Sequence, residues 1–187
     1  SEYALQYNSL TNILKRIDFR LNTIGGKEMK QVRFGIVGIG QMGGSHAEWL
    51  ANGQVDNAVL TAVCDVNPQK KEWAAEKLPE NVKFFDNYID MLESGEIDAV
   101  LIATPHYDHP VIAIEALNRD LHTLVEKPAG VYTKKVREMN ELAESKPHLV
   151  FGMMFNQRTN HIYRKMKEIV DSGKYGQIRR TNWLITN

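Results

Sequence analysis

Two stretches of this chain carry residues whose types and spacing do chemistry. The first, residues 38–43, sets Gly38, Gly40 and Gly43 at the spacing G-x-G-x-x-G, directly after an apolar run over 34–37. An apolar run broken by glycines and followed by Ala47, Trp49 and Leu50 reads as a buried strand, a tight turn and a helix start. There Gly38 permits the sharp turn, Gly40 lets backbone approach a diphosphate, and Gly43 lets helix and strand pack closely. The free N–H groups and positive end of the helix would hold the phosphates. A Walker loop needs Gly-Lys-Ser/Thr, and Gly43-Gly44-Ser45 has no lysine. The second stretch is Glu126-Lys127-Pro128, which closes an apolar run over 121–125. A lysine partly desolvated at a cleft mouth is a usable proton-transfer group. Pro128 restricts Lys127 to extended backbone and so fixes the direction in which its side chain leaves the strand. The plain alternative is a solvated lysine after a strand.

A third residue extends the glycine motif. The apolar run over 59–64 ends in Asp65, about 20 residues beyond Gly43, where a carboxylate accepts hydrogen bonds from an adenosine ribose. Asp65 would repel a 2′-phosphate, which favours NAD; Lys70 and Lys71 keep NADP open. As a structural residue, Asp65 would instead cap the helix that Pro68 begins. His106, Asp108 and His109 form a cluster, but zinc needs further ligands at matching spacing and none is evident, so no metal is expected. Asp108 or His109 reads better as the cap of a helix opening at Pro110. His46, His122, His148 and His161 are scattered and read as structural or surface residues, and Trp49 and Trp73 as packing residues.

The elements that must position these residues alternate regularly. Helices are expected over 69–78, 88–92, from Pro110 onward and over 133–144, with strands over 82–85, 99–103, 121–125 and 149–151. Strand–helix alternation implies right-handed crossovers and a doubly wound parallel sheet, an α/β Rossmann fold. Ligands of such folds bind at the carboxyl ends of the strands. Three ends carry unusual residues: Thr104-Pro105-His106, Glu126-Lys127-Pro128 and Asn156-Gln157-Arg158.

Composition bounds the reading. The chain of 187 residues has 23 basic and 23 acidic side chains, a net charge of zero that suggests neither a nucleic-acid nor an anionic-membrane partner. The one cysteine, Cys64, lies in an apolar strand and reads as a small buried hydrophobe in a reducing, cytoplasmic setting. No apolar run is long enough for a transmembrane helix. Residues 1–28 stand outside the alternation: Leu10, Ile13, Leu14, Ile17, Leu21 and Ile24 recur at helical spacing before Gly25-Gly26. They are expected to be an extension ahead of a natural start at Met29, with an interaction helix as the other reading. Glu2, Asp18 and the low serine content argue against a transit peptide.

The succession GxGxxG, Val-Cys-Asp, Ala-Thr-Pro-His with a later His, Val-Glu-Lys-Pro and Phe-Asn-Gln-Arg resembles the Gfo/Idh/MocA family of glucose–fructose oxidoreductase, inositol dehydrogenase and their relatives, over about residues 32–185. The resemblance implies an NAD- or NADP-dependent oxidoreductase moving a hydride between nicotinamide and a hydroxyl-bearing carbon of a sugar, cyclitol or related polyol. It implies Lys127 as the catalytic residue. Gly38, Gly40, Gln41, Met42, Gly43, Asp65, Thr104, Pro105, His109, Glu126 and Asn156 would join it around the cofactor, with Arg158 toward the substrate. Glu126 would orient Lys127 or contact the nicotinamide ribose. The family usually has glycine where Asp120 stands.

The family's second domain is a mainly antiparallel sheet that covers the cofactor, adds an Asp and a His to the site and builds a homo-oligomer interface. Only its start is expected here: residues 29–155 form the dinucleotide domain, and residues 156–187 a linker helix and one strand over 178–185. A lone strand cannot satisfy its own ladder, so residues after about 176 should be disordered or paired with another chain. A fragment of this kind would bind NAD weakly and would not turn over. The alternative is a non-catalytic dinucleotide-binding or regulatory module. An S-adenosylmethionine methyltransferase shares the glycine turn and the acid but leaves Glu126-Lys127-Pro128 unexplained.

Overall fold

Short apolar runs bounded by turn residues become strands, and the segments between them become helices. The computed structural model describes residues 31–182 and 184. Its strands are β1 (Val32–Val37), β2 (Ala58–Cys64), β3 (Lys83–Phe85), β4 (Ala99–Ile102), β5 (His122–Val125) and β6 (Phe151–Met153). Between and after them run α1 (Gln41–Ala51), α2 (Pro68–Lys77), α3 (Tyr88–Glu93), α4 (His109–Asn118), α5 (Thr133–Ser145) and α6 (His161–Asp171). All strand pairs are parallel, in the order β3-β2-β1-β4-β5-β6. The winding therefore reverses between β1 and β4, which makes the crevice above those two strands the expected ligand site.

Both faces of the sheet are covered, which is why β4 and β5 are buried at every residue and β4 reads as an unbroken apolar run. Phe34, Ile36, Leu60 and Leu101 pack with Leu50 and Val55 on one side. Val37, Val100, Ile102 and Val125 pack with Ile112, Ala116 and Met139 on the other. Each fully buried aliphatic or aromatic side chain of this kind contributes roughly 1.5–3 kcal/mol.

Several local expectations are corrected. The cap of α2 is Asn67, whose side chain accepts the Gln69 N–H, so Asp65 is left for other work. Asp108 occupies the N-cap position of α4 without a side-chain cap bond, and His109 is already the first helical residue. The last strand begins at Phe151, later than the apolar signal suggests, because the Val150 N–H is taken by the His122 ring at 3.0 Å. Residues 178–182 form no strand. The amphipathic segment expected within 1–28 lies outside the described residues. Asp120, at φ 57°, holds the left-handed turn where the resemblance expects glycine, and its carboxylate meets Lys146 and His148. No helix among the described residues is long and apolar enough to cross a membrane.

Candidate dinucleotide and proton-transfer site

The glycine turn is built as its spacing demands. Gly38 has φ 85°, and a Cβ on it would stand 2.9 Å from the backbone of Ala103 and Thr104 at the end of β4. A Cβ on Gly43 would stand 1.8 Å from the Gly38 carbonyl oxygen. At Gly40 a Cβ would meet nothing within 4 Å. The first and third glycines are thus required by the protein's own packing, whereas the second borders open space at the N-terminus of α1. That space, at the positive end of the helix, suits a diphosphate.

Asp65 is aimed at this turn. One carboxylate oxygen accepts the Ile39 N–H at 2.9 Å and the other accepts the Asn67 N–H at 2.9 Å. Nearby, burial pushes the Cys64 thiol up to about 12, with the charge of Asp65 adding to the effect, so Cys64 is an inert core residue.

Gly38, Gly40, Gln41, Met42, Asp65, Thr104, Pro105, His109, Glu126 and Lys127 all line one cleft of about 380 Å³, together with Ala103 and His106. Gly43 supports the turn from below. Asn156 and Arg158 are not among the cleft walls. They belong to a short 3₁₀ segment, Asn156–Thr159, where the Arg158 guanidinium lies 5.1 Å from the centre of the Phe155 ring. Arg158 lines a second hollow of about 600 Å³ with Gln157, Tyr163, Arg164 and Lys167.

Within the cleft two features differ from expectation. Lys127 is exposed, so the walls described do not desolvate it. The Glu126 carboxylate does not reach the lysine amine; it accepts the Lys127 backbone N–H at 3.1 Å, and its other oxygen lies 2.7 Å from His46 Nε2. The peptide bond between Lys127 and Pro128 is cis. His109, 1 % exposed, sets Nδ1 2.7 Å from the Pro128 carbonyl and Nε2 2.8 Å from the Thr104 carbonyl, tying two cleft loops together. The Thr104 hydroxyl is buried and has no hydrogen-bond partner among the described residues. Sequence reasoning took His46 only as a structural or surface residue; it is buried and bonded to Glu126. Its position three residues after Gly43, on the helix that opens the site, was the only available signal. No group of three His, Cys, Asp or Glu side chains suited to a metal occurs among the described residues.

Residues 32–153 match the Gfo/Idh/MocA model, described as an oxidoreductase family with an NAD-binding Rossmann fold. The chain belongs to this family. Among curated relatives of the family, inositol 2-dehydrogenase of Salmonella typhimurium is 30 % identical over 146 residues, which span 78 % of this chain and 43 % of that protein. Among solved structures, myo-inositol 2-dehydrogenase from Lactobacillus plantarum superposes with a TM-score of 0.75 at 36 % identity, covering 80 % of this chain and 43 % of that one. Scyllo-inositol dehydrogenase from Lactobacillus casei, solved with NAD(H) and scyllo-inositol, gives 0.74 at 33 % identity, covering 79 % and 43 %. The chain spans less than half the length of these family members.

Proposed function

We propose that this chain is the cofactor-binding part of an NAD-dependent dehydrogenase acting on a hydroxyl-bearing carbon of a cyclitol, sugar or related polyol. The observation that carries the reading is the opening of the glycine turn and Lys127 onto one cleft. The α1 N-terminus with Gly38, Gly40, Gln41 and Met42 would hold the diphosphate. Asp65 would face the adenosine ribose, and Thr104, Pro105 and His109 would border the nicotinamide half, with Asn156 beside it. NAD, when bound, supplies the hydride acceptor. Lys127 Nζ would accept the hydroxyl proton and pass it on to solvent. Arg158 would meet the substrate from its separate hollow.

The reading further takes residues 29–155 as the dinucleotide domain and residues 156–187 as the lead into a substrate domain. It places the enzyme in the cytoplasm as a homo-oligomer with no nucleic-acid partner, in keeping with a balanced charge and a single buried cysteine. A purely dinucleotide-sensing role is the second reading, favoured by the exposure of Lys127. NAD titration and NADH production with myo-inositol, on the gene product at its full encoded length, separate the two. The dehydrogenase reading expects turnover that Lys127→Ala abolishes while leaving NAD affinity nearly unchanged. Unaltered turnover in that variant would overturn it.

A further inference from the structure

His46 is wholly buried, yet it has one polar partner in place of two. Its Nε2 lies 2.7 Å from Glu126 Oε1, while its Nδ1 has no hydrogen-bond partner among the described residues. An ionised carboxylate only accepts, so Nε2 carries the proton and donates. The ring plane is set by Trp49, edge-on at 5.3 Å between centroids. An apolar residue of similar size would fill this space without leaving a buried nitrogen unpaired. What the histidine adds is the single donor directed at Glu126.

Glu126 passes that constraint on. Its backbone N–H completes the sheet ladder by donating to the Ile102 carbonyl, and the ladder ends there. The next N–H, that of Lys127, would lack a strand partner, and Glu126 Oε2 accepts it instead. A chain of two hydrogen bonds thus runs from α1, through the carboxylate, to the backbone of the lysine. α1 is also the helix whose first turn faces the diphosphate space.

We propose that His46 is a positioning residue: by donating to Glu126 it fixes where the Lys127 backbone leaves β5, and it ties the lysine to the helix that would receive the diphosphate. This rests on the reading of Lys127 as the proton-transfer group. His46 itself does not line the cleft.

The test is a double-mutant cycle on the gene product at its full encoded length, with His46→Leu, Glu126→Gln, the double variant and Lys127→Ala as reference. For each variant, kcat with myo-inositol, the Kd for NAD and the thermal midpoint are measured. His46→Leu is expected to lower kcat at least tenfold while changing the NAD Kd less than threefold. The double variant should match Glu126→Gln within about twofold, because a residue acting through Glu126 has nothing left to act on. His46→Gln, which keeps a donor, should recover most of the lost kcat. Independent, multiplying effects of the two substitutions on kcat would overturn the proposal, as would unchanged kcat in His46→Leu. If His46→Leu does not fold, comparing the double variant with Glu126→Gln, which leaves no unpaired charge, decides the matter alone. Full turnover in Lys127→Ala would instead show that the dehydrogenase assignment of the lysine has failed, a result distinct from failure of the His46 role.

Discussion

Asp65 grips Ile39: the acid just after β2 accepts the N–H of the residue between the first two glycines, at 2.9 Å. The carboxylate therefore shapes the turn as well as facing the space beside it. Asp65→Asn keeps the size but replaces one acceptor oxygen with a donor and removes the charge. A lost charge-assisted hydrogen bond is worth about 1.5–3 kcal/mol, and 1.4 kcal/mol is tenfold in Kd. NAD binding to this chain, followed by calorimetry, should weaken about tenfold or more, and the preference for NAD over NADP should narrow.

Gly40 and Gly43 should respond oppositely to the same added methyl. Gly43→Ala drives a Cβ to 1.8 Å from the Gly38 carbonyl oxygen, a backbone atom that cannot step aside without opening the turn. A stability loss of about 3 kcal/mol is expected in urea denaturation, at the upper end for overpacked sites. Gly40→Ala meets no protein atom within 4 Å and should leave the urea midpoint unchanged while weakening NAD binding, because the methyl enters the space a diphosphate would fill.

His109 joins the Thr104 and Pro128 carbonyls from a site that is 1 % exposed. His109→Ala removes the ring N–H available to these carbonyls and leaves a void beneath the cleft floor. A loss of roughly 2–4 kcal/mol is expected from these two sources together. Denaturant unfolding measures it, and a midpoint equal to that of the unmodified chain would show that the ring does not brace these loops.

Cys64, 1 % exposed with its thiol pushed up to about 12, should resist a thiol reagent near pH 8 in the folded chain. Burial disfavours the thiolate that would attack. Labelling should proceed only at the rate of unfolding and become fast in denaturant.

Asp120 predicts a pH dependence of definite sign. Hydrogen bonds from Lys146 and then His148 hold its carboxyl below the ordinary value of 3.8. A group lowered in the folded state contributes stability that is fully present above its unfolded value and is lost as pH falls through the folded one. Asp120→Asn keeps a residue tolerant of the left-handed turn and removes the charge. The unmodified chain should be the more stable of the two near pH 6, and the difference should shrink as pH falls below 3.8. The carboxylate is exposed, so added salt should shrink it as well.

Much of this protein is written locally in its chain. The spacing of Gly38, Gly40 and Gly43 after an apolar run, the acid closing the next run and the strand–helix alternation each depend on neighbours in sequence. They yielded the parallel sheet and the strand ends that line one cleft, to which the family resemblance added Gln41, Met42 and His109. Residue type also anticipated that Cys64 would be a core residue.

What the chain could not disclose locally depends on contacts between distant segments. His46 and Glu126 are 80 residues apart, and nothing in either neighbourhood marks the other. The Asp65 carboxylate accepts the N–H of Ile39, 26 residues away, while Asn67 caps α2 in its place. The late start of β6 was decided by a histidine ring from β5. Periodicity and glycine spacing report backbone conformation and which face is buried, properties set within a few residues. The direction of a carboxylate is set by whichever donor the folded sheet brings within 3 Å, and only the assembled strands determine that.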